Sequence, residues 1–76
     1  MVVKVYSTPT CPYCKMAKEY LSSKGISYQN LDVSSDSALA EEMVKVSGQM
    51  GVPVIVIDGN AIVGFDKSQI DELLAK

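Results

Sequence analysis

The spacing of apolar positions alternates between a period of two and a period near 3.6 along this chain, and each switch marks an element. "VVKVYS" (2–7) alternates and is rich in β-branched residues, which predicts a strand; Pro9 in the following "TPT" ends it. From Pro12 to Lys24, Met16, Ala17, Tyr20 and Leu21 fall at i, i+1, i+4 and i+5, one stripe of an amphipathic helix. Gly25 is a natural stop for it. "ISYQNLDV" (26–33) reads as a second strand. A second helix starts near Ser35 or Asp36, both good N-caps, carries Leu39, Met43, Val44 and Val46, and ends at Gly48. "VPVIVID" (52–58) is long enough for a buried strand and too short for a helix. "DGN" (58–60) signals a tight hairpin leading into "AIVG", an antiparallel partner. The last helix starts near Asp66 and places Ile70, Leu73 and Leu74 on one face.

The predicted order is β-α-β-α-β-β-α. The first βαβ unit supplies a parallel pair and the closing hairpin an antiparallel one. The fold class is therefore α/β: a four-stranded mixed sheet flanked by three helices, in one domain over 1–76.

Composition narrows the chemistry. The 76 residues carry a formal net charge of −2, with both signs scattered, so there is no basic footprint for nucleic acid. The longest apolar run is far too short to span a bilayer, and the N-terminus lacks the pattern of a signal peptide. The expected compartment is the cytoplasm, where thiols are kept reduced. Histidine is absent, which removes Ser-His-Asp and Cys-His catalysis and any His-ligated metal. No second apolar face stands out, so a monomer is expected.

The candidate chemistry is "TCPYC" (10–14), which holds both cysteines of the chain. Cys11 falls where the first strand's loop turns into the first helix. Pro12 suits the first helical position, where its missing N–H would be unpaired anyway. The free N–H groups and dipole of the helix then favour a Cys11 thiolate, and Cys14 lies almost one turn on, within disulfide reach. One cysteine can attack and the other can resolve the mixed disulfide. Both are expected at the surface. A structural disulfide over so short a loop would remove little unfolded-state entropy. A metal site wants four ligands, which two thiolates alone do not supply; a dimer pooling its thiolates around an iron–sulfur cluster stays open, as does a redox-regulated adaptor. Pro53, directly before a buried strand, is a strand-opening proline or a cis one.

"TCPYC" at 10–14, "GVPVIVIDG" at 51–59 and "IVGFDKSQIDELL" at 62–74 together resemble the glutaredoxins, small members of the thioredoxin-fold superfamily. The resemblance covers essentially the whole chain. It implies a thiol–disulfide oxidoreductase with Cys11 as nucleophile and Cys14 as resolving thiol, supported by Pro12, Tyr13 and a cis Pro53 facing the pair. The Val52 backbone would pair with an extended substrate. Asp66 would receive the glutamyl ammonium of glutathione while the N–H groups of Phe65 and Asp66 held its carboxylate, beside Gly64. No bound cofactor or metal is implied; glutathione is the expected co-substrate, and disulfide-containing or glutathionylated proteins are the partners.

The match departs from the family pattern at three places. Thr8 stands where a lysine is usual, Gly51 replaces the threonine of a Thr-Val-Pro motif, and Val63 replaces the first of two glycines. Gln49 and Met50 fill a stretch that often carries a basic residue. A lost charge-assisted hydrogen bond to a glutathione carboxylate is worth roughly 1.5–3 kcal/mol in a sheltered site. Lys15 or Lys45 is the candidate to compensate. The alternative reductant is thioredoxin reductase, as for the glutaredoxin-like hydrogen donors of ribonucleotide reductase, which the "GF" at 64–65 resembles.

Overall fold

A computed structural model describes residues 2–49 and 51–75; Met50 lies outside the described residues. Seven elements follow in the expected order: β1 (Val3–Ser7), α1 (Pro12–Ser23), β2 (Gln29–Asp32), α2 (Ser37–Ser47), β3 (Val54–Ile57), β4 (Asn60–Val63) and α3 (Lys67–Leu74). The sheet order is β2-β1-β3-β4, with β1 and β2 parallel and the other two pairs antiparallel.

Register decides where the chemistry sits. Ser7 lies opposite Asp32, Tyr6 opposite Val54, and Val54 opposite Val63. The ends of β1, β2 and β4 and the start of β3 therefore share one end of the sheet. The segments carrying Cys11, Pro53 and Gly64–Asp66 all meet there.

Period-two alternation gives the sheet two apolar faces. Val3, Val5, Ile55, Ile57 and Ile62 form one, packed with Ala17 and Leu21 of α1 and Ile70 of α3. Tyr6 and Val54 form the other with Met43 of α2, and Leu31, Val33, Val52 and Val56 pack at its margin. The β3–β4 hairpin turns at Asp58 (φ 48°) and Gly59 (φ 86°), two consecutive left-handed residues, as a tight hairpin twisted with its strands requires.

Three expectations are corrected. The second strand was expected over 26–33, but pairing starts only at Gln29, because the preceding backbone closes the end of α1: Gly25 N–H donates to Ser22 and Ile26 N–H to Leu21, each at 3.0 Å. Ile26 and Tyr28 still pack on the core from this turn. The buried stripe of α1 is Cys14, Ala17 and Leu21 rather than one including Met16, which is 46% exposed. A thiol is small and weakly polar, so Cys14 takes the core position that periodicity had given to a larger residue. On α2, Val46 is 44% exposed, and Met43 is the residue that reaches the core.

Candidate active site

The site begins with the way α1 starts. Cys11 is the N-cap, in extended backbone (φ −90°, ψ 115°), and Pro12 is the first helical residue. An N-cap side chain normally offers an oxygen to the unpaired N–H groups of the first turn. Here the acceptor is sulfur: Cys14 N–H donates to Cys11 Sγ at 3.3 Å. The Cys11 carbonyl in turn accepts from Lys15 N–H at 3.2 Å. The thiol pair is thus fixed by the ordinary requirement that a helix terminus be capped.

The two thiols then diverge. Cys11 is half-buried, whereas Cys14 has no exposed surface, which corrects the expectation that both lie in the open. Burial by itself pushes the Cys11 pKa up. Hydrogen bonds from the Cys14 thiol and from the N–H groups of Cys14 and Tyr13, with the Lys18 ammonium nearby, outweigh it, and Cys11 ends below the ordinary thiol value. Burial pushes Cys14 up to about 11, and its hydrogen bond to Cys11 adds to that; the Thr8 N–H and Lys18 oppose it without prevailing. The pair is therefore asymmetric, with Cys11 the better thiolate and Cys14 the held proton.

Across from α1, the Val52–Pro53 peptide is cis and Pro53 is buried. The Pro53 carbonyl accepts from Gly64 N–H at 2.8 Å, which ties the turn before β3 to the turn after β4. Gly64 has φ 81°, a left-handed conformation in which a side chain would be strained. Asp66 caps α3, accepting from Gln69 N–H at 3.2 Å and from its side-chain amide at 3.1 Å. Phe65 is half-buried and meets Tyr20 edge-to-face, with ring centroids 5.7 Å apart. Tyr20 donates its hydroxyl to Asp71, which also pairs with Lys24 at 3.4 Å. The Gly64–Asp66 turn is thereby held to α1 by the aromatic contact and to α3 by its cap. Tyr13, by contrast, is 62% exposed at the mouth of the site.

A sequence profile of the Glutaredoxin family matches residues 3–62. An uncharacterized glutaredoxin-like 8.6 kDa protein from the rubredoxin operon of Clostridium pasteurianum is 56% identical over 75 residues, covering 99% of this chain and all of the relative. Glutaredoxin 3 of Escherichia coli K12 is 50% identical over 64 residues, 84% of this chain and 77% of the relative. Among solved structures, a glutaredoxin from Archaeoglobus fulgidus superposes with a TM-score of 0.90 at 25% identity, covering 97% of this chain and 86% of that one. The chain belongs to the glutaredoxin family. It has the thioredoxin fold, as the resemblance implied, and it is a thiol–disulfide oxidoreductase of the glutaredoxin type.

Within this glutaredoxin, the residues named from sequence gather at one end of the sheet through three connections: Cys11–Cys14, Val52–Pro53 and Gly64–Asp66. Two contributors went unnamed. Thr8 was noted as a missing lysine, yet its carbonyl accepts from Cys11 N–H at 3.4 Å and its backbone opposes the rise of the Cys14 pKa. Lys18 was passed over in favour of Lys15 and Lys45, although seven residues is almost two helical turns and returns to the Cys11 side of α1. That spacing was the available signal. Lys18 lines a shallow groove between α1 and β2 with Lys15, Glu19, Tyr28 and Asn30. No helix among the described residues is long and apolar enough to cross a membrane.

Proposed function

We propose that this glutaredoxin reduces protein disulfides and glutathione mixed disulfides with Cys11 as the nucleophile and Cys14 as the resolving thiol. The observation that carries the reading is the asymmetry of the pair: Cys11 caps α1 and accepts the Cys14 N–H, while Cys14 lies fully buried behind it. The Cys11 thiolate attacks one sulfur of a target disulfide. That S–S bond breaks, one target sulfur leaves as thiolate, and the other is joined to Cys11. Cys14 then gives up its proton and attacks Cys11 Sγ. The second target sulfur departs and takes up a proton, leaving a Cys11–Cys14 disulfide. Two electrons have passed from the dithiol to the target. Two glutathione thiols restore the dithiol in two such exchanges and leave as glutathione disulfide. No bound cofactor takes part.

Substrate enters as an extended segment along Val52, whose backbone N–H and carbonyl take no hydrogen-bond partner among the described residues. Gly64, Phe65 and Asp66 form the opposite wall. There the α3 N-terminus favours a carboxylate, as in the glutamyl end of glutathione, and the Asp66 carboxylate answers its ammonium. Pro12 and Tyr13 frame the approach to Cys11. The protein acts in the cytoplasm as a single-domain monomer.

Thr8 and Gly51, where the family pattern has lysine and threonine, favour one second reading: recharging by thioredoxin reductase in place of glutathione. A coupled assay separates the two. Oxidised protein is supplied with glutathione, glutathione reductase and NADPH, or with thioredoxin reductase and NADPH. Rapid NADPH loss in the first assay is expected; loss confined to the second transfers the role of reductant. Cys11→Ser is expected to abolish turnover in either, and retention of full activity by that variant overturns the assignment of the nucleophile.

A further inference from the structure

Tyr20 lies outside the cysteine turn and outside the Gly64–Asp66 turn, yet it joins the elements that carry both. It follows Cys11 on α1 by roughly 13 Å of helix axis, too far for its side chain to touch the reacting sulfurs. The residue is half-buried, and each part of its side chain has a partner. The ring meets Phe65 edge-to-face, with centroids 5.7 Å apart and planes at 70°. The ammonium groups of Lys24 and Lys67 stand 5.1 and 5.4 Å from its centroid, and Lys67 is also 5.8 Å from that of Phe65. The hydroxyl donates to Asp71 on α3, and the same carboxylate pairs with Lys24 at 3.4 Å.

A helix as short as α3 needs such a tie. Its buried residue is Ile70, with Leu73 and Leu74 packed at the margin of the core. Apolar contact is non-directional, so it fixes how deep the helix lies and sets its slide and rotation only loosely. Among the described residues, Tyr20–Asp71 is the hydrogen bond between α1 and α3, and Lys24 at the end of α1 adds an ion pair to the same acceptor. Phe65 directly precedes the cap of α3, so the Tyr20 ring holds the turn while its hydroxyl holds the helix. The other side of the turn is fixed by Gly64 N–H on the Pro53 carbonyl. An exposed ion pair or a cation over a ring is weak alone. Here the contacts share one side chain, and its removal releases them together.

We propose that Tyr20 is a positioning residue for the glutathione subsite, holding Phe65 and the start of α3 in register with Cys11. The inference rests on the reading above that Gly64, Phe65 and Asp66 receive the glutamyl end. A tripeptide that brings its sulfur to Cys11 has a limited reach. Its carboxylate and ammonium meet the α3 N-terminus only when that terminus keeps its place relative to α1. A wall held in advance spares glutathione the cost of ordering it, and a reductant without a glutamyl end gains nothing from it.

The test compares reduction of the oxidised protein by glutathione, in the assay coupled to glutathione reductase, with reduction by dithiothreitol. Tyr20→Phe, which keeps the ring and loses the bond to Asp71, is expected to raise KM for glutathione about threefold with kcat near wild type. Tyr20→Leu, which also frees Phe65, is expected to raise it about tenfold. Both are expected to be reduced by dithiothreitol at the wild-type rate, a split that general damage to the fold would not produce. Asp71→Ala is expected to match Tyr20→Phe, and Asp71→Asn, whose carbonyl still accepts the hydroxyl, to stay near wild type. The double variant Tyr20→Phe/Asp71→Ala is expected to show the same rise of about threefold, because the two changes remove one bond. An unmoved KM in Tyr20→Phe and Tyr20→Leu overturns the inference, as does equal slowing with dithiothreitol or a multiplied effect in the double variant. A wild type whose rate shows no saturation with glutathione overturns the parent reading, and the inference with it; saturation in the wild type with unmoved variants overturns the inference alone.

Discussion

The two faces of the sheet are built to different depths. Under α1 and α3, eight residues are buried together, and six further apolar or aromatic side chains pack around them. Under α2 the buried set is Tyr6, Met43 and Val54, with a margin of half-buried residues. Tyr6 adds a polar atom to the thinner face: its hydroxyl, buried and near Glu42, has its pKa pushed up by burial first and by that carboxylate second. The redox helix lies on the deeper face, and Val52, proposed above to receive substrate, belongs to the shallower one. The difference teaches how a chain this small divides its core. Rigidity is concentrated where Cys14 must stay shielded, and the thinner packing lies beside the backbone expected to receive a substrate.

The sharpest way to break this comparison is to cut one core residue from each face. Leu21→Ala is expected to destabilise the protein by about 3–5 kcal/mol, because its neighbours are fully buried and collapse poorly around a cavity. Met43→Ala is expected to cost about 2 kcal/mol, since half-buried neighbours can close in. Urea titrations of the two variants, with wild type alongside, decide the matter; equal losses would mean that the faces are equally stiff.

A smaller effect sharpens the same contrast through pH. Cys14 has a folded pKa raised to about 11, above its ordinary value of 9.0. The buried neutral thiol therefore contributes stability that is fully present below pH 9 and is lost as pH rises toward about 11. The melting temperature of the reduced protein is expected to fall across that window, and Cys14→Ala is expected to flatten the slope. An unchanged slope in that variant would place the titrating group elsewhere.

The smallest effect concerns the turn between β4 and α3. Asp66→Ala removes the cap of α3 and is expected to cost about 1 kcal/mol, with Asp66→Asn recovering most of it. If Asp66 also receives the glutamyl ammonium, Asp66→Asn will raise KM for glutathione while stability stays near wild type. Calorimetry and the coupled assay on the same samples separate the two roles.

Much of this was legible in the sequence, for reasons that differ between elements. The helix starts at Pro12 and after Asp36 and Asp66, and the ends near Gly25 and Gly48, follow from capping chemistry that acts over a few residues. The hairpin at Asp58–Gly59 is equally local. The start of β2 was misplaced because pairing depends on where β1 lies, and the backbone of Gly25 and Ile26 is committed to the end of α1. The burial of Cys14 in place of Met16 depends on which side of α1 the sheet approaches, and periodicity gives a stripe only to within about one residue.

The chain by itself therefore determined the order of elements, the place of both thiols at a helix N-terminus and the chemistry those thiols can do, since each rests on neighbours within one turn. Tertiary structure decided what depends on distant segments meeting. The antiparallel placing of β3 beside β1 brought Pro53 to the end of the sheet where Cys11 sits, and β4 brought Gly64 to the Pro53 carbonyl. Packing of α1 against the sheet then separated two thiols of the same type: at half-buried Cys11 the hydrogen bonds from Cys14 and Tyr13 outweigh the burial and favour the charged form, whereas at Cys14 full burial prevails and holds the proton in place.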